Sequence, residues 1–170
     1  MERRSVEAIV RALNEAQVRY LIVGGLAVAA HGHLRITVDV DLVLDPDPES
    51  LGRAIAALET LGYRPRAPVP FIAFADAGQR KDWAREKGML VFSAHSPAHP
   101  VTEVDLFLEA PFDFEKAYAR ALTMEVGPGL AATFVGLADL VSMKRNAGRH
   151  QDMEDVSVLI DINGKPDFHE

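Results

Sequence analysis

Two aspartates one residue apart, Asp39 and Asp41, stand in the run ITVDVDLVL. In a strand, successive side chains point to opposite faces. Thr37, Asp39 and Asp41 then share one face, while Ile36, Val38, Val40 and Leu42 share the other. The apolar face is expected to bury. The polar face holds two carboxylates about 6–7 Å apart at Cα. Like charges that close repel unless a cation lies between them. A pair of hard oxygen ligands on one rigid strand is what a Mg²⁺–phosphate site requires. A third carboxylate, Asp105, interrupts the apolar run VTEVDLFL, where a buried charge is costly unless paired or metal-bound. Glu103 falls on the same face and competes with Asp105 for that role. The plain alternative for all these acids is an ion pair with arginine or lysine at the rim of a sheet.

The elements that must position these acids can be read outward from them. Tyr20–Val23 is an apolar run with β-branched residues, the mark of a buried strand. Gly24 and Gly25 turn the chain sharply and leave room for a close approach. Their backbone N–H groups, at a helix start, suit a phosphate; a tight turn alone is the simpler reading. Leu26–His31 is Ala-rich and helix-favouring. Ile36–Leu44 is the strand that carries the two aspartates. Arg35, at its start, is placed to meet a phosphate or Asp39, and Thr37 is placed to line the site.

The string GGLAVAAHGHLRITVDVDL resembles the nucleotidyltransferase superfamily typified by DNA polymerase beta. That pattern is Gly followed by Gly or Ser, a gap, and Asp-x-Asp or Asp-x-Glu; thirteen residues separate Gly25 from Asp39 here. Within the superfamily the glycines, His31-Gly32, Arg35, Thr37 and both aspartates resemble small bacterial proteins of the AbiEii type, often toxins of toxin–antitoxin pairs. The C-terminal string DLVSMKRNAGRHQDMEDV resembles the matching region of the same proteins. The resemblance implies Mg²⁺- or Mn²⁺-dependent transfer of an NMP from an NTP. Asp39, Asp41 and Asp105 would hold metal, and Gly24, Gly25, Arg35 and Thr37 would bind the nucleotide. Lys144 would contact phosphate, Arg149 could assist, and Asp152 would orient or act as a base; Asp155, with Asp152 in the first turn of the same expected helix, has the plainer reading of a capping acid. The acceptor would be a tRNA end, a protein hydroxyl or a small molecule, and an antitoxin is a possible partner. The alternative is an inactive nucleotide-binding or antitoxin-like protein that kept the fold.

Composition narrows the classes. The 170 residues suit one domain, expected as a core over 1–127 and a helical extension over 128–164. There is no cysteine, hence no disulfide or thiolate site, and a reducing cytoplasm is the simplest compartment. Net charge is −7, which argues against broad DNA binding. No apolar run is long enough to span a bilayer. Two further motifs fail: DVDLVLDPDPES lacks the glycine of an EF-hand loop, and no Gly-Lys-Ser/Thr forms a P-loop. His95 and His99 flank Pro97, which spoils a helical zinc pair.

Elsewhere, Val6, Ile9, Val10 and Leu13 predict a helix over 5–17 capped by Ser5. Leu51, Ile55, Leu58 and Leu61 predict another, stopped by Gly62. Three prolines leave 65–70 as loop or edge strand, and Phe71–Phe74 as a short strand or buried segment. Arg80–Lys87 reads as a short helix whose Arg80, Lys81, Arg85 and Lys87 could make a basic patch; its Trp83 either anchors to the core or stacks on a base. Strands are expected over 89–93, 101–108 and 122–126, and helices over 112–121, 134–147 and 152–162. The fold class expected is α/β (α+β): a mixed sheet of about four or five strands flanked by helices, closed by a C-terminal helical pair.

Overall fold

Helix α1 (Arg3–Glu15) buries Val6, Ile9, Val10 and Leu13, the stripe that its apolar spacing demands. Its cap is Glu2 rather than Ser5. Ser5 is buried instead, its Oγ 2.9 Å from Nδ1 of His99. The chain then enters β1 (Tyr20–Ile22), turns through α2 (Gly24–Ala30), and returns as β2 (Asp39–Leu44) antiparallel to β1. Helix α3 (Pro48–Thr60) starts where Asp47 accepts a hydrogen bond from the Ser50 amide at 2.8 Å, with Pro48 in the first turn, a position where its missing N–H costs nothing. The computed structural model describes residues 2–167.

The sheet has seven strands, not four or five, in the order β3-β4-β5-β2-β1-β7-β6. Two of the additional strands come from places where the sequence is quiet. β3 is only Arg64–Pro65, pairing with β4 (Val91–His95). β7 (Leu130–Phe134) forms a hairpin with β6 (Leu122–Gly127) and lies parallel to β1 through Phe134 and Ile22. Its residues Leu-Ala-Ala-Thr-Phe carry little β-branching, and partner strands on both sides impose the conformation. The boundary expected after 127 therefore falls inside a hairpin, and the helical pair begins at Leu137.

Phe71–Ala75 is a 3₁₀-helix rather than a strand, as suits a segment entered from Pro70. It leads to α4 (Ala77–Lys87). Trp83 of α4 stacks on Phe92 at 5.0 Å and is 6 % exposed; it is a core anchor, not a surface for a base. The basic patch expected here is reduced: Lys81 and Lys87 stay exposed, but the two arginines are engaged. Arg80 is buried and donates to the carbonyls of Phe74 and Leu108, and Arg85 pairs with Asp82 and Glu86.

β5 (Glu103–Phe107) runs parallel to β2, with Val40 beside Val104 and Leu42 beside Leu106, all fully buried. After the short α5 (Phe114–Ala119) and the β6–β7 hairpin come α6 (Leu137–Ala147) and α7 (His150–Asn163), which pack together. Gly148, in the left-handed region at φ +64°, ends α6. Among the described residues, no helix is long and apolar enough to cross a membrane.

Candidate active site

β5 and β2 are third and fourth in the sheet order, each with a partner on both sides. Their register sets Asp41 beside Asp105 and Asp39 beside Glu103. The alternation of burial places these four acids on the less covered face, with Val40, Leu42, Val104 and Leu106 underneath. The apolar face of these strands fixes the polar one, because a slip by a single residue would bury the acids and expose the core.

Glu103 leaves the competition at once. Arg66 reaches it with a two-pronged ion pair, its Nε 2.9 Å from the carboxylate. That hydrogen bond holds the Glu103 carboxyl below its usual range. Asp105 has no such partner: its Oδ1 is buried and accepts no hydrogen bond. Burial, then repulsion from Asp105 and Asp39, pushes the Asp41 carboxyl up to about 6, and Lys144 and Arg35 only partly offset this. Asp39 is raised in the same way, by burial first and then by Asp105 and Glu103. Two raised carboxyls and an orphaned carboxylate oxygen mark a site short of positive charge. As they stand, no three His, Asp or Glu side chains among the described residues are gathered tightly enough to enclose a metal ion.

The glycine corner fits against these acids. Gly24 has φ +61°, and a Cβ there would lie 2.6 Å from Cγ of Asp41. Both the backbone angle and the carboxylate exclude a side chain. At Gly25 a Cβ would lie 2.7 Å from Oγ1 of Thr37 and 3.1 Å from Nη2 of Arg35. Gly24 and Gly25 are thus the first two residues of α2 rather than a turn before it. The amide of Val23 also bonds to the Asp41 carbonyl at 2.9 Å, which ties the corner to the acid strand.

Arg35 does not turn to Asp39. Its Nε lies 3.4 Å from Oδ2 of Asp155. Thr37 lies outside the strand, which begins at Asp39, but its hydroxyl lines Gly25 as noted. Lys144 is 6 % exposed, with Nζ 2.9 Å from Asp152 and 2.7 Å from Asp155. Arg149 donates from Nε to the other oxygen of Asp152 at 2.7 Å. Burial is the largest influence on Asp152 and acts upward, but hydrogen bonds from Arg149 and Lys144 outweigh it and hold the carboxyl below its usual range.

Asp155 is the residue the sequence reading undervalued. It is 1 % exposed and faces Lys144, Arg35 and His33, the last at 3.5 Å. It looked like an ordinary first-turn acid. The available signal was its place three residues after Asp152, on the same side of α7. His31 is held by backbone, with Nε2 2.9 Å from the carbonyl of Val135.

No family model and no curated protein sequence matches the chain. Solved structures do resemble it. The solution structure of the antibiotic-resistance factor ANT(2'')-Ia superposes with a TM-score of 0.57 at 16 % identity, over 92 % of this chain and 80 % of that one. ANT(2")-Ia crystallised in complex with adenylyl-2"-tobramycin gives 0.55 and 16 %, over 94 % and 87 % of the two chains. An antigenic nucleotidyltransferase-like protein from Paracoccidioides brasiliensis gives 0.58 and 15 %, over 94 % and 75 %. At these identities the likeness is one of fold alone, shared with ANT(2'')-Ia and the nucleotidyltransferase-like protein.

Proposed function

We propose that the protein transfers an NMP from an NTP to an acceptor hydroxyl with the help of Mg²⁺ or Mn²⁺. The observation that carries this is the pairing of Asp41 with Asp105 on neighbouring parallel strands, unneutralised by any ion pair among the described residues, against a glycine that cannot bear a side chain. An oxygen-only donor set of this kind fits a hard divalent cation. Asp39, Asp41 and Asp105 would hold it. When bound, such a cation neutralises charge on the attacking and leaving oxygens of phosphoryl transfer.

The remaining residues bind and orient. Gly24 and Gly25 let the phosphates approach backbone amides. Lys144 meets phosphate, Arg149 and Arg35 support it, and Thr37 lines the pocket between them. Asp152, kept anionic by its two cations, suits the orienting role; a general base works best with a pKa near the working pH. The acceptor we favour is a small molecule, because one structure of like fold holds an adenylylated aminoglycoside. A tRNA end or a protein hydroxyl are the other candidates. The likeness of the motif strings to AbiEii-type proteins supports a bacterial, cytoplasmic toxin with an antitoxin partner.

A second reading has one observation in its favour. Lys144 is already engaged by Asp152 and Asp155, as it would be in a protein that binds nucleotide without turnover. Incubation with each labelled NTP, Mg²⁺ and panels of small-molecule, RNA and protein acceptors separates the two. Transfer that disappears in Asp39→Ala, Asp41→Ala and Asp105→Ala supports the enzyme. Nucleotide binding without transfer supports the second reading, and absence of both refutes each.

A further inference from the structure

Residues 31–39 alternate between partly buried and exposed without a break. This is the periodicity of an extended strand, yet the segment before Asp39 belongs to no sheet. The polarity is inverted from what the sequence suggests. His33 and Arg35 turn inward to Asp155, and Thr37 turns inward to Gly25. Leu34, Ile36 and Val38 turn outward, at 85, 91 and 55 % exposure. Among the described residues, the backbone amides and carbonyls of 34–38 make no backbone hydrogen bond. Proteins usually protect an open strand with lysine, proline or a bulge. The outward positions here hold three apolar side chains and none of those devices.

Free backbone groups in extended conformation, with apolar side chains at every second position, match another extended backbone. A second copy of this chain is a poor occupant. A stable pair needs roughly 800 Å² from each partner, supplied by some 20–30 residues, and five residues fall far short. Charge narrows the choice further. Just past Val38 the edge runs into Asp39, Asp41 and Asp105, which make no ion pair among the described residues. We infer that residues 34–38 dock an extended segment of another protein, apolar at alternate positions and followed by a lysine or arginine that enters the carboxylate cluster. A segment seated this way occupies the place of the divalent cation and shuts the site. That inhibitory consequence, though not the docking itself, rests on the nucleotidyl-transfer reading.

The test uses the whole chain and one probe, the peptide acetyl-Ser-Val-Thr-Val-Thr-Val-Gly-Lys-Lys-amide, followed by two-dimensional amide NMR. Shifts confined to residues 34–41 and saturating below about 1 mM are expected, with binding at least about tenfold weaker when both lysines of the peptide are glutamates. The variant carrying Leu34→Ser, Ile36→Ser and Val38→Ser should keep the parent melting temperature and lose the peptide by a similar factor. No binding near 1 mM, binding unchanged in the triple variant, or a melting temperature that falls with it overturns the proposal. A dimer by sedimentation that the triple variant abolishes overturns it too. Peptide binding without Mg²⁺–nucleotide binding leaves the docking edge standing and removes the functional reading; the converse removes only the edge.

Discussion

Replacing Asp41 by asparagine should make the cation-free protein more stable. The Asp41 carboxyl is pushed from 3.8 up to about 6 by burial and by its neighbours Asp105 and Asp39. The folded protein therefore holds this proton more tightly than the unfolded chain does. The sign follows: stability is greatest below the unfolded value, falls as pH rises between 3.8 and about 6, and carries the full penalty above that. Each tenfold in proton affinity is about 1.4 kcal/mol, so the penalty at pH 7.5 is at most roughly 3 kcal/mol. Asparagine keeps the shape and removes the charge, so Asp41→Asn should gain about 1–3 kcal/mol at pH 7.5 and little at pH 4. For a chain of this size that is a rise of roughly 2–4 °C in melting temperature per kcal/mol. The assay is thermal or urea unfolding of both proteins in EDTA across pH 4–8, reading the difference so that titrating groups not coupled to Asp41 cancel. The same variant should lose any rise in melting temperature that Mg²⁺ with nucleotide gives the parent. An Asp41→Asn protein that is less stable than the parent at pH 7.5, or equally displaced at every pH, would refute the view of this carboxylate as strained and waiting for a cation.

Three further outcomes can be checked alongside. Gly24→Ala forces a side chain into the left-handed region and against Asp41; it should cost about 1–3 kcal/mol in urea unfolding and abolish the response to Mg²⁺–nucleotide. Asp155→Ala leaves the buried Lys144 and the partly buried Arg35 with less compensation and should destabilise by about 3 kcal/mol, whereas Asp155→Asn should lose less in the same urea titration. Glu103→Gln removes only a partly exposed pair with Arg66, so stability should change by less than about 1 kcal/mol, and nucleotide binding by calorimetry should persist where Asp105→Asn loses it.

The acid strands were legible in the sequence because a two-residue period of apolar side chains leaves few ways to place Asp39, Asp41 and Asp105. The glycine corner was legible because few other residues could allow the chain to turn there. The strand at Leu130–Phe134 was not legible: its alanines have no strand preference, and it exists because β1 and β6 flank it. The same period misled at Ile36 and Val38. Apolar residues in register with a buried face were expected to be covered, but nothing in the described chain lies over them. Asp155 was hidden for a different reason. A carboxylate at a helix start already has an ordinary explanation, and only three-dimensional proximity shows that Lys144, Arg35 and His33 meet on it.

The position of β2 and β5 deep in the sheet order has a bearing on how this protein fluctuates. A strand flanked on both sides exchanges its amide hydrogens only when much of the molecule opens, so the acid-bearing backbone should be among the slowest to exchange with solvent. The carboxylates thus ride on the part of the molecule that changes shape least. The outer strands and the exposed side chains of Leu34, Ile36 and Val38 can vary without moving the acids.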